Sequence, residues 1–263
     1  LPYHYSDLHT LPRLLDRLAT MEDALIGRAD RIITPSPVTR EHLLDRGADP
    51  GRITLVPNSP SVVPTARSLQ PRDARIRLCY IGTLTSWQGL YDAIKVMARL
   101  AHHPIHLTVA TAARRSDRKA LARFARKRGL SEQIAIVDPV PPSQLLTFLQ
   151  QHDLGLAPLT PCARNLVQGC MPIKVLDYMA AGLPVLAPDM PAVQHIVGDN
   201  YPLYRRYSRG HMTDHLERLV TDPGLRETLS RQGLQRARHF GPQRQRDALL
   251  GVYRDLASTS SST

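Results

Sequence analysis

Short apolar runs alternate with longer segments of helical periodicity between residues 76 and 200. In one of these helical segments, Leu90, Ala93, Ile94 and Met97 follow the i, i+3, i+4, i+7 spacing of a helix with one buried face. The apolar runs predict strands at 76–81, 106–111, 134–137, 154–157 and 185–188. Strands that alternate with helices in this way predict an α/β fold with a Rossmann-like, doubly wound parallel sheet.

The rest of the chain divides around this unit. Residues 1–60 repeat the alternation, with helices at 11–27 and 39–46 and strands at 31–34 and 53–56, and we interpret them as the trailing α/β elements of a preceding domain. A stretch rich in Pro and Ser predicts a linker at 61–74, before the Rossmann-like domain at 75–241. Within that domain we expect Ser143 to cap a helix and Asp222 to cap another. Residues 242–263 are predicted to form a C-terminal helix and a disordered Ser/Thr tail.

Composition narrows the environment in which we expect the protein to work. Three cysteines in no recognisable motif favour reduced thiols rather than a disulfide framework, and hence a cytoplasmic protein. The sequence has no apolar run of 18 residues and no signal-peptide pattern. It also starts with Leu rather than Met, so we expect the chain to begin inside a longer protein.

The net charge of +11, from 34 Lys and Arg against 23 Asp and Glu, leaves three kinds of anionic partner to consider. Nucleic acid is disfavoured, because only 5% of residues are aromatic and no nucleic-acid-binding motif is present. Phosphorylated small molecules and an anionic membrane surface remain, the latter implying peripheral membrane attachment. A basic composition with no functional meaning is the other interpretation.

Two segments carry candidate chemistry. In residues 80–89 a strand leads through Gly82 and a loop to Gly89 and a helix, which is where backbone N–H groups can hold a phosphate. The same pattern also suits a tight turn that binds nothing. In residues 169–189 a helix begins near Pro172 and ends at Gly182, and Asp177 lies opposite its apolar face. Such a carboxylate is able to accept hydrogen bonds from both ribose hydroxyls, although a solvated surface aspartate is equally compatible with the residues alone.

The second segment resembles the signature of family 4 retaining glycosyltransferases, with Asp177 where the family has glutamate. The matching residues are Pro172, Lys174, Tyr178, Met179, Ala180, Gly182, Pro184, Val185 and Asp189. Residues 80–89, residues 29–36 with 52–58, and residues 222–226 resemble three other family motifs, in the family's order.

The resemblance implies a GT-B enzyme that takes a sugar from a nucleoside diphosphate sugar with retention, without a metal or cofactor. By position, Asp177 would bind the ribose, Gly82 and Thr83 would lie beneath the diphosphate, and Val140 would lie against the nucleobase. The loop formed by Cys170, Met171, Pro172 and Ile173 would hold the donor sugar and phosphates through backbone N–H groups.

Departures from the family pattern limit what the resemblance implies. Gly169 stands where many members have a first glutamate, and Thr83 and Gln88 replace the usual Arg and Lys beside the diphosphate. A helix N-terminus contributes about 0.3–1 kcal/mol, or about 2 when partly buried, so we expect Lys174 to supply part of the missing charge. His195 is expected in a loop.

We assign no catalytic residue, because only about 60 residues of the family's acceptor-binding N-terminal domain are present. The chain alone is therefore expected to be inactive without that missing domain or a partner subunit, and its acceptor is expected to be lipid-linked or close to a membrane. A non-catalytic nucleotide-sugar-binding subunit or sensor is the alternative. A nucleotide-sugar epimerase shares the fold, but the signature resembles transferases more closely.

Overall fold

The computed structural model describes residues 12–67 and 75–260. Within these ranges the strands are β1 (Ile32–Thr34), β2 (Ile53–Leu55), β3 (Ile76–Ile81), β4 (Ile105–Ala110), β5 (Ile134–Val137), β6 (Leu154–Leu156) and β7 (Val185–Leu186). The helices are α1 (Pro12–Arg28), α2 (Pro37–Asp45), α3 (Leu90–Arg99), α4 (Arg115–Arg126), α5 (Pro142–Gln150), α6 (Ala163–Leu166), α7 (Ile173–Ala180), α8 (Pro191–Val197), α9 (Arg209–Thr221), α10 (Pro223–Ala237) and α11 (Pro242–Ser260).

The main sheet has five parallel strands in the order β5-β4-β3-β6-β7. The chain moves outward from β3 through β4 to β5, then returns to place β6 on the other side of β3. Right-handed crossovers in opposite directions put helices on both faces of such a sheet, and α3 packs against α9 whereas α7 packs against α10. The predicted doubly wound fold is therefore confirmed. Its topological switch point, where α/β folds bind ligands, lies between the carboxyl ends of β3 and β6.

Close packing joins the two strands at this switch point. The Tyr178 ring on α7 covers Gly155 of β6 so closely that a Cβ at that glycine would lie 2.3 Å from the ring. The Tyr178 hydroxyl accepts a hydrogen bond from the N–H of Ile81 at 2.9 Å and donates to the carbonyl of Leu156 at 3.3 Å. Because the hydroxyl is fully buried and satisfied, α7 is held in one position above the ends of β3 and β6.

The segment that precedes β3 is fixed to the sheet domain along the part described. Residues 61–67 contain no helix or strand, as the linker prediction requires, whereas residues 68–74 lie outside the described residues. The N–H of Thr65 donates to the carbonyl of Ala180 at 2.8 Å. Arg67 forms a largely buried ion pair with Asp153 at 2.5 Å, and Asp153 also accepts from the N–H of Arg77 at 2.8 Å.

The elements before residue 60 form a smaller unit against the sheet domain. Its strands β1 and β2 pair in parallel, with Ile32 opposite Ile53, and α11 returns along the molecule to lie against β2. The start of α2 contacts the loop before α7, because Ser36 Oγ donates to the carbonyl of Gly169 at 2.7 Å. Thr39 Oγ1 donates to the neighbouring carbonyl of Gln168, also at 2.7 Å. These bonds define the position of the loop before α7 relative to the N-terminal elements.

Prolines account for two errors in the predicted elements. Helix α5 begins at Pro142 with Pro141 in the N-cap position, so the prediction that Ser143 caps it is wrong. Strand β7 ends at Leu186 rather than at Pro188, which has no N–H to donate and forms only an isolated bridge with Tyr204.

Three further predictions concern residues near the ends of helices. The predicted cap of α10 is confirmed, since Asp222 accepts from the N–H of Leu225 at 2.8 Å. His195 lies in helix α8, not in a loop, because Pro191 starts a helical turn whose apolar face is buried. Helix α11 continues to Ser260, three residues beyond the predicted end at residue 257, and residues 261–263 lie outside the described residues.

Candidate functional site

Gly82 is the first residue after β3, and its backbone conformation disfavours any residue with a side chain. Its φ angle is +139°, and a Cβ here would lie 2.9 Å from Nζ of Lys174. Its N–H donates to the carbonyl of Ala110, which extends the pairing of β3 with β4 by one residue. The exposed glycine therefore leaves an open floor at the carboxyl edge of the sheet, as the sequence predicts for a phosphate site.

Lys174, in the first turn of α7, reaches across this floor. Its ammonium donates to Oε1 of Gln88 at 2.6 Å and lies 4.1 Å from the centre of the Tyr80 ring. Burial against these groups lowers the pKa of Lys174 to about 7. The structure thus brings together three residues that the sequence predicted for the site, Gly82, Gln88 and Lys174.

The loop between Gly82 and α3 is held in place from both ends. Thr83 is exposed, its carbonyl accepts the Tyr80 hydroxyl, and its Oγ1 lies 3.1 Å from Oγ1 of Thr85. At the other end Gly89 has a φ of +68°, and a Cβ there would lie 1.8 Å from the carbonyl oxygen of Pro158. Only glycine fits this approach between the loops that follow β3 and β6.

Two residues that sequence reasoning missed anchor the same loop. Thr160 Oγ1 donates to the carbonyl of Ser86 at 2.9 Å, and Asn165 Nδ2 donates to the carbonyls of Trp87 and Thr160 at 2.9 and 2.8 Å. Asn165 is buried, which a polar side chain in a loop-like stretch gives little reason to expect. One signal in the sequence points to this region: residues 158–162 directly follow a predicted strand, and ligands of α/β folds bind at the loops that follow the strands.

Backbone donors are available where α7 begins. Pro172 is the N-cap residue and provides no side-chain cap, so the N–H groups of Ile173 and Lys174 have no intrahelical partner. Of the residues predicted to hold the donor sugar, Cys170 is exposed and Met171 is buried. Pro172 has no N–H, so the loop can donate only through the other members of the predicted set.

Asp177 is not on a solvated face, because its side chain is only 4% exposed. Its Oδ1 accepts from the N–H of Ser61 at 2.6 Å, and its Oδ2 accepts from Ser61 Oγ at 3.3 Å. Burial raises the pKa of the Asp177 carboxyl, and the hydrogen bonds from Ser61 oppose that rise. An ionised carboxylate has about four acceptor positions, so contact with Ser61 leaves capacity for a hydroxyl ligand.

Val140 lies apart from the Lys174 cluster, on the loop after β5, where it is half-buried against the core. Strand β5 is two positions from β3, which corresponds to about 10 Å at the usual strand spacing. The same loop is tied to α4, since Arg118 donates to Asp138 at 2.8 Å and to the carbonyl of Ala113 at 3.0 Å. Arg118 was not predicted to contribute, and its position beside Asp138 depends on the tertiary fold.

Gly169 stands where the family's pattern has its first glutamate, and the structure leaves no room for a side chain there. Its φ is +63°, and a Cβ would lie 2.4 Å from Cβ of Val38 and 2.8 Å from the backbone nitrogen of Thr39. Helix α2 therefore occupies the space that a side chain at this position would need. Ser36, Val38 and Thr39 belong to the site's surroundings and were missed, because nothing local in the sequence relates them to residue 169.

The family described as Glycosyl transferases group 1 matches residues 65–236, which is more than half of the chain. The chain belongs to this family. Residues 2–59 match a second family, described as Glycosyl transferase 4-like domain. The matched ranges include Gly82, Lys174 and Asp177 in the first case, and α2 with the β1–β2 pair in the second.

Curated relatives include D-inositol 3-phosphate glycosyltransferases. The protein from Acidothermus cellulolyticus is 26% identical over 257 residues, which is 89% of this chain and 55% of the relative. The protein from Kribbella flavida is 23% identical, over 90% of this chain and 59% of the relative. The chain therefore spans little more than half the length of these relatives.

Solved structures share the fold at low identity. Sucrose-phosphate synthase from Thermosynechococcus elongatus superposes with a TM-score of 0.80 at 17% identity, over 93% of this chain and 62% of that one. An Anabaena protein solved in complex with UDP-glucose has a TM-score of 0.69 at 15% identity, over 93% of this chain and 67% of that one. No helix within residues 12–67 and 75–260 is both long enough and apolar enough to cross a bilayer.

Proposed function

We propose that this chain is the donor-binding part of a glycosyltransferase that takes a hexosyl group from a nucleoside diphosphate sugar, with retention and without a metal or cofactor. The observation that carries the proposal is the cluster of Gly82, Gln88 and Lys174 at the switch point of the sheet, beside the N-terminus of α7. Family membership supports glycosyl transfer as the reaction.

Lys174 supplies the charge that a diphosphate requires. Its ammonium has a neutral amide and an aromatic ring as partners, and burial lowers its pKa to about 7. An anion placed above Gly82 lies within reach of this ammonium and favours its protonated form. The N–H groups at the start of α7 add about 0.3–1 kcal/mol for an anion. Thr83, exposed on the same loop, provides a hydroxyl for a phosphate oxygen.

The remaining contacts follow from the diphosphate position. Asp177 lies one turn after Lys174 and binds a ribose hydroxyl in addition to Ser61. Val140 contacts the nucleobase, since its distance of about 10 Å from the β3 edge suits the length of a nucleoside. The sugar lies against the loop formed by residues 170–173, where Cys170 and Ile173 are exposed.

Calorimetric titration with UDP, GDP and ADP tests donor binding, and UDP comes first because the Anabaena protein holds UDP-glucose. We expect one of the three to bind and the other two to bind at least about tenfold more weakly, a difference of about 1.4 kcal/mol. Absence of binding for all three would refute the donor site.

The ribose contact of Asp177 requires a separate test, because the residue also holds Ser61. Asp177→Asn and the wild type are compared on the preferred nucleoside diphosphate and on its 2′-deoxy form. If Asp177 binds the 2′-hydroxyl, the wild type discriminates between the ligands and the variant does not. Asp199→Asn, at an exposed position, is the matched control. Equal discrimination by all three proteins would leave Asp177 with only a structural role.

Retention and metal independence are tested on this chain supplied with an acceptor-binding domain and an acceptor. The anomeric configuration of the product, measured by NMR, should equal that of the donor. Activity should persist after treatment with EDTA, and loss that is restored by a divalent ion would contradict metal independence.

A non-catalytic sugar-nucleotide-binding subunit is the second candidate, favoured by the closed space at Gly169 where relatives of the signature carry a glutamate. We expect this chain alone to bind donor without transferring sugar, and transfer by the chain alone would refute the half-enzyme interpretation. Transfer after addition of an acceptor-binding domain or partner subunit identifies the enzyme, and its absence favours the binding subunit. Conversion of the donor to an epimeric sugar nucleotide would identify an epimerase instead.

An anionic surface or lipid-linked acceptor is the partner that the charge of the chain supports. Helix α4 and the residues beside it expose a group of cations, namely Arg114, Arg115, Lys119, Arg123, Arg126 and Lys127. Binding to phosphatidylserine vesicles that weakens with added salt would support peripheral attachment. Absence of sedimentation with such vesicles at low salt would refute it.

A further inference from the structure

Two adjacent histidines and a glutamate converge on the surface between α3 and α9. His102 and His103 lie in the turn after α3, with ring centres 4.1 Å apart and planes inclined by 42°. Glu217, on α9, places Oε1 3.4 Å from Nε2 of His103 and 3.9 Å from Nε2 of His102. All three ligand atoms lie within 4.8 Å of one another.

These distances are close to those of a tetrahedral metal site. Bonds of about 2.0–2.1 Å to imidazole nitrogen and 2.0–2.2 Å to carboxylate oxygen put the ligand atoms about 3.3 Å from one another. The His103–Glu217 distance of 3.4 Å already meets this value. His102 is 3.9 Å from Glu217, and with all three ligand atoms within 4.8 Å it needs to approach by up to about 1.5 Å. Its side chain is 63% exposed, so rotation about its own bonds is sufficient.

The ligands stand on elements that the fold already holds side by side. Helices α3 and α9 run in the same direction, since Asp92 near the start of α3 pairs with Arg209 at the start of α9 at 3.2 Å, whereas Glu217 meets the histidines at the far end. Buried Met97 and Leu216 anchor the two helices in the core. A metal would therefore find one ligand on α9 and two in the turn that directly follows α3, with little backbone to order on binding.

We propose that His102, His103 and Glu217 bind a divalent transition metal, with Zn²⁺ as the best-suited ion and water as the fourth ligand. Two imidazoles with one carboxylate favour zinc over magnesium or calcium, which prefer oxygen ligands. The ion would join the C-terminal ends of α3 and α9. Because α3 has ten residues, the site is about 15 Å from the Gly89 loop, so it is separate from the proposed metal-independent transfer.

The test is calorimetric titration of ZnCl₂ into untagged protein in a buffer that does not chelate zinc. Cys170→Ser is used as the background, because Cys170 is an exposed thiol that could bind zinc by itself. We expect one ion per chain, and a loss of at least about tenfold in affinity for His103→Ala and for Glu217→Gln. His239→Ala removes an exposed histidine elsewhere and should bind zinc like the background protein.

Folding and coordination are checked independently. The variants should unfold at the same temperature as the background protein without metal, whereas zinc should raise the unfolding temperature of the background protein and not that of Glu217→Gln. Co²⁺ in place of zinc should give the intense visible absorption of a tetrahedral site. The proposal is overturned if zinc does not bind, or if both ligand variants bind it as tightly as the His239→Ala control. That second outcome would leave Glu217 as a hydrogen-bond acceptor only.

Discussion

Replacing Lys174 with methionine separates the charge of this side chain from its bulk. In the free protein, burial sets the pKa of Lys174 near 7, so about half of the molecules carry the charge at neutral pH. A bound diphosphate requires the charged form, and binding at pH 7 should therefore take up about half a proton. Above that pH, affinity should fall by up to about tenfold per pH unit, or about 15-fold between pH 7 and pH 8.5.

The same shift determines how Lys174 affects the stability of the free protein. Between pH 7 and 10.5 the unfolded chain binds more protons at this lysine than the folded chain does, so stability rises with pH across that window. At pH 7, burial of Lys174 lowers the free energy of unfolding by up to about 4 kcal/mol. Lys174→Met removes this loss, so this variant should unfold at a higher temperature than the wild type without ligand, and at pH 7 it should bind nucleoside diphosphate at least about 15-fold more weakly.

Calorimetry in buffers of different ionisation enthalpy measures both the affinity and the proton uptake between pH 6.5 and 8.5. Lys174→Met should bind weakly with no dependence on pH above 7. Lys174→Arg is the control, because its guanidinium stays charged throughout and should bind without proton uptake. If the affinity of the wild type is constant from pH 7 to 8.5, or if Lys174→Met keeps the wild-type slope, Lys174 does not pair with the diphosphate and the reasoning fails.

Three further substitutions test the fold around the site. Gly89→Ala should lower the free energy of unfolding by more than about 3 kcal/mol. Gly129→Ala is the control: it has a similar φ and open space around it, and should lower that free energy by only about 1–2 kcal/mol. Equal losses in urea unfolding would contradict the close approach of Gly89 to Pro158. Arg67→Ala removes the ion-pair partner of Asp153 in a largely buried position, and leaves it the N–H of Arg77, so it should lower the free energy of unfolding by about 3 kcal/mol. A loss below about 1 kcal/mol would show that water replaces the pair. Burial lowers the pKa of His215 to about 4. As the pH falls, this histidine is therefore protonated in the unfolded chain before it is protonated in the folded one, and the free energy of unfolding should fall by about 2 kcal/mol between pH 7 and pH 4.5. His215→Leu should remove that part of the dependence on pH, and an unchanged dependence would exclude His215 as its source.

The pattern of apolar residues predicted the sheet because the centre of β3 is buried at three consecutive positions, 78–80, and because β4 buries Ile105, Leu107 and Val109 at alternate positions. It failed at Pro188 and at Ser143, where the pyrrolidine ring rather than polarity decides where an element begins or ends. Charge alone identifies Lys174 from the sequence, because a diphosphate needs a cation wherever the family's usual ones are missing.

Other features of the site depend on contacts between residues far apart in the sequence. Asp177 was predicted as a ligand of ribose, yet its partner in the structure is Ser61, 116 positions earlier. No local pattern in the sequence reports such a pairing, because it follows from how the 61–67 segment crosses α7. The same holds for Val38 against Gly169, whose approach depends on the position of α2.

That approach has a consequence for substitutions at position 169. A Cβ at position 169 and the valine side chain at position 38 require the same space. The same Cβ would also lie 2.8 Å from the backbone nitrogen of Thr39, so a glutamate at position 169 requires a displaced α2 as well as a smaller residue at position 38. Neither Gly169→Glu alone nor its combination with Val38→Gly should therefore be tolerated, because the backbone of Thr39 stays 2.8 Å from the added Cβ unless the start of α2 moves.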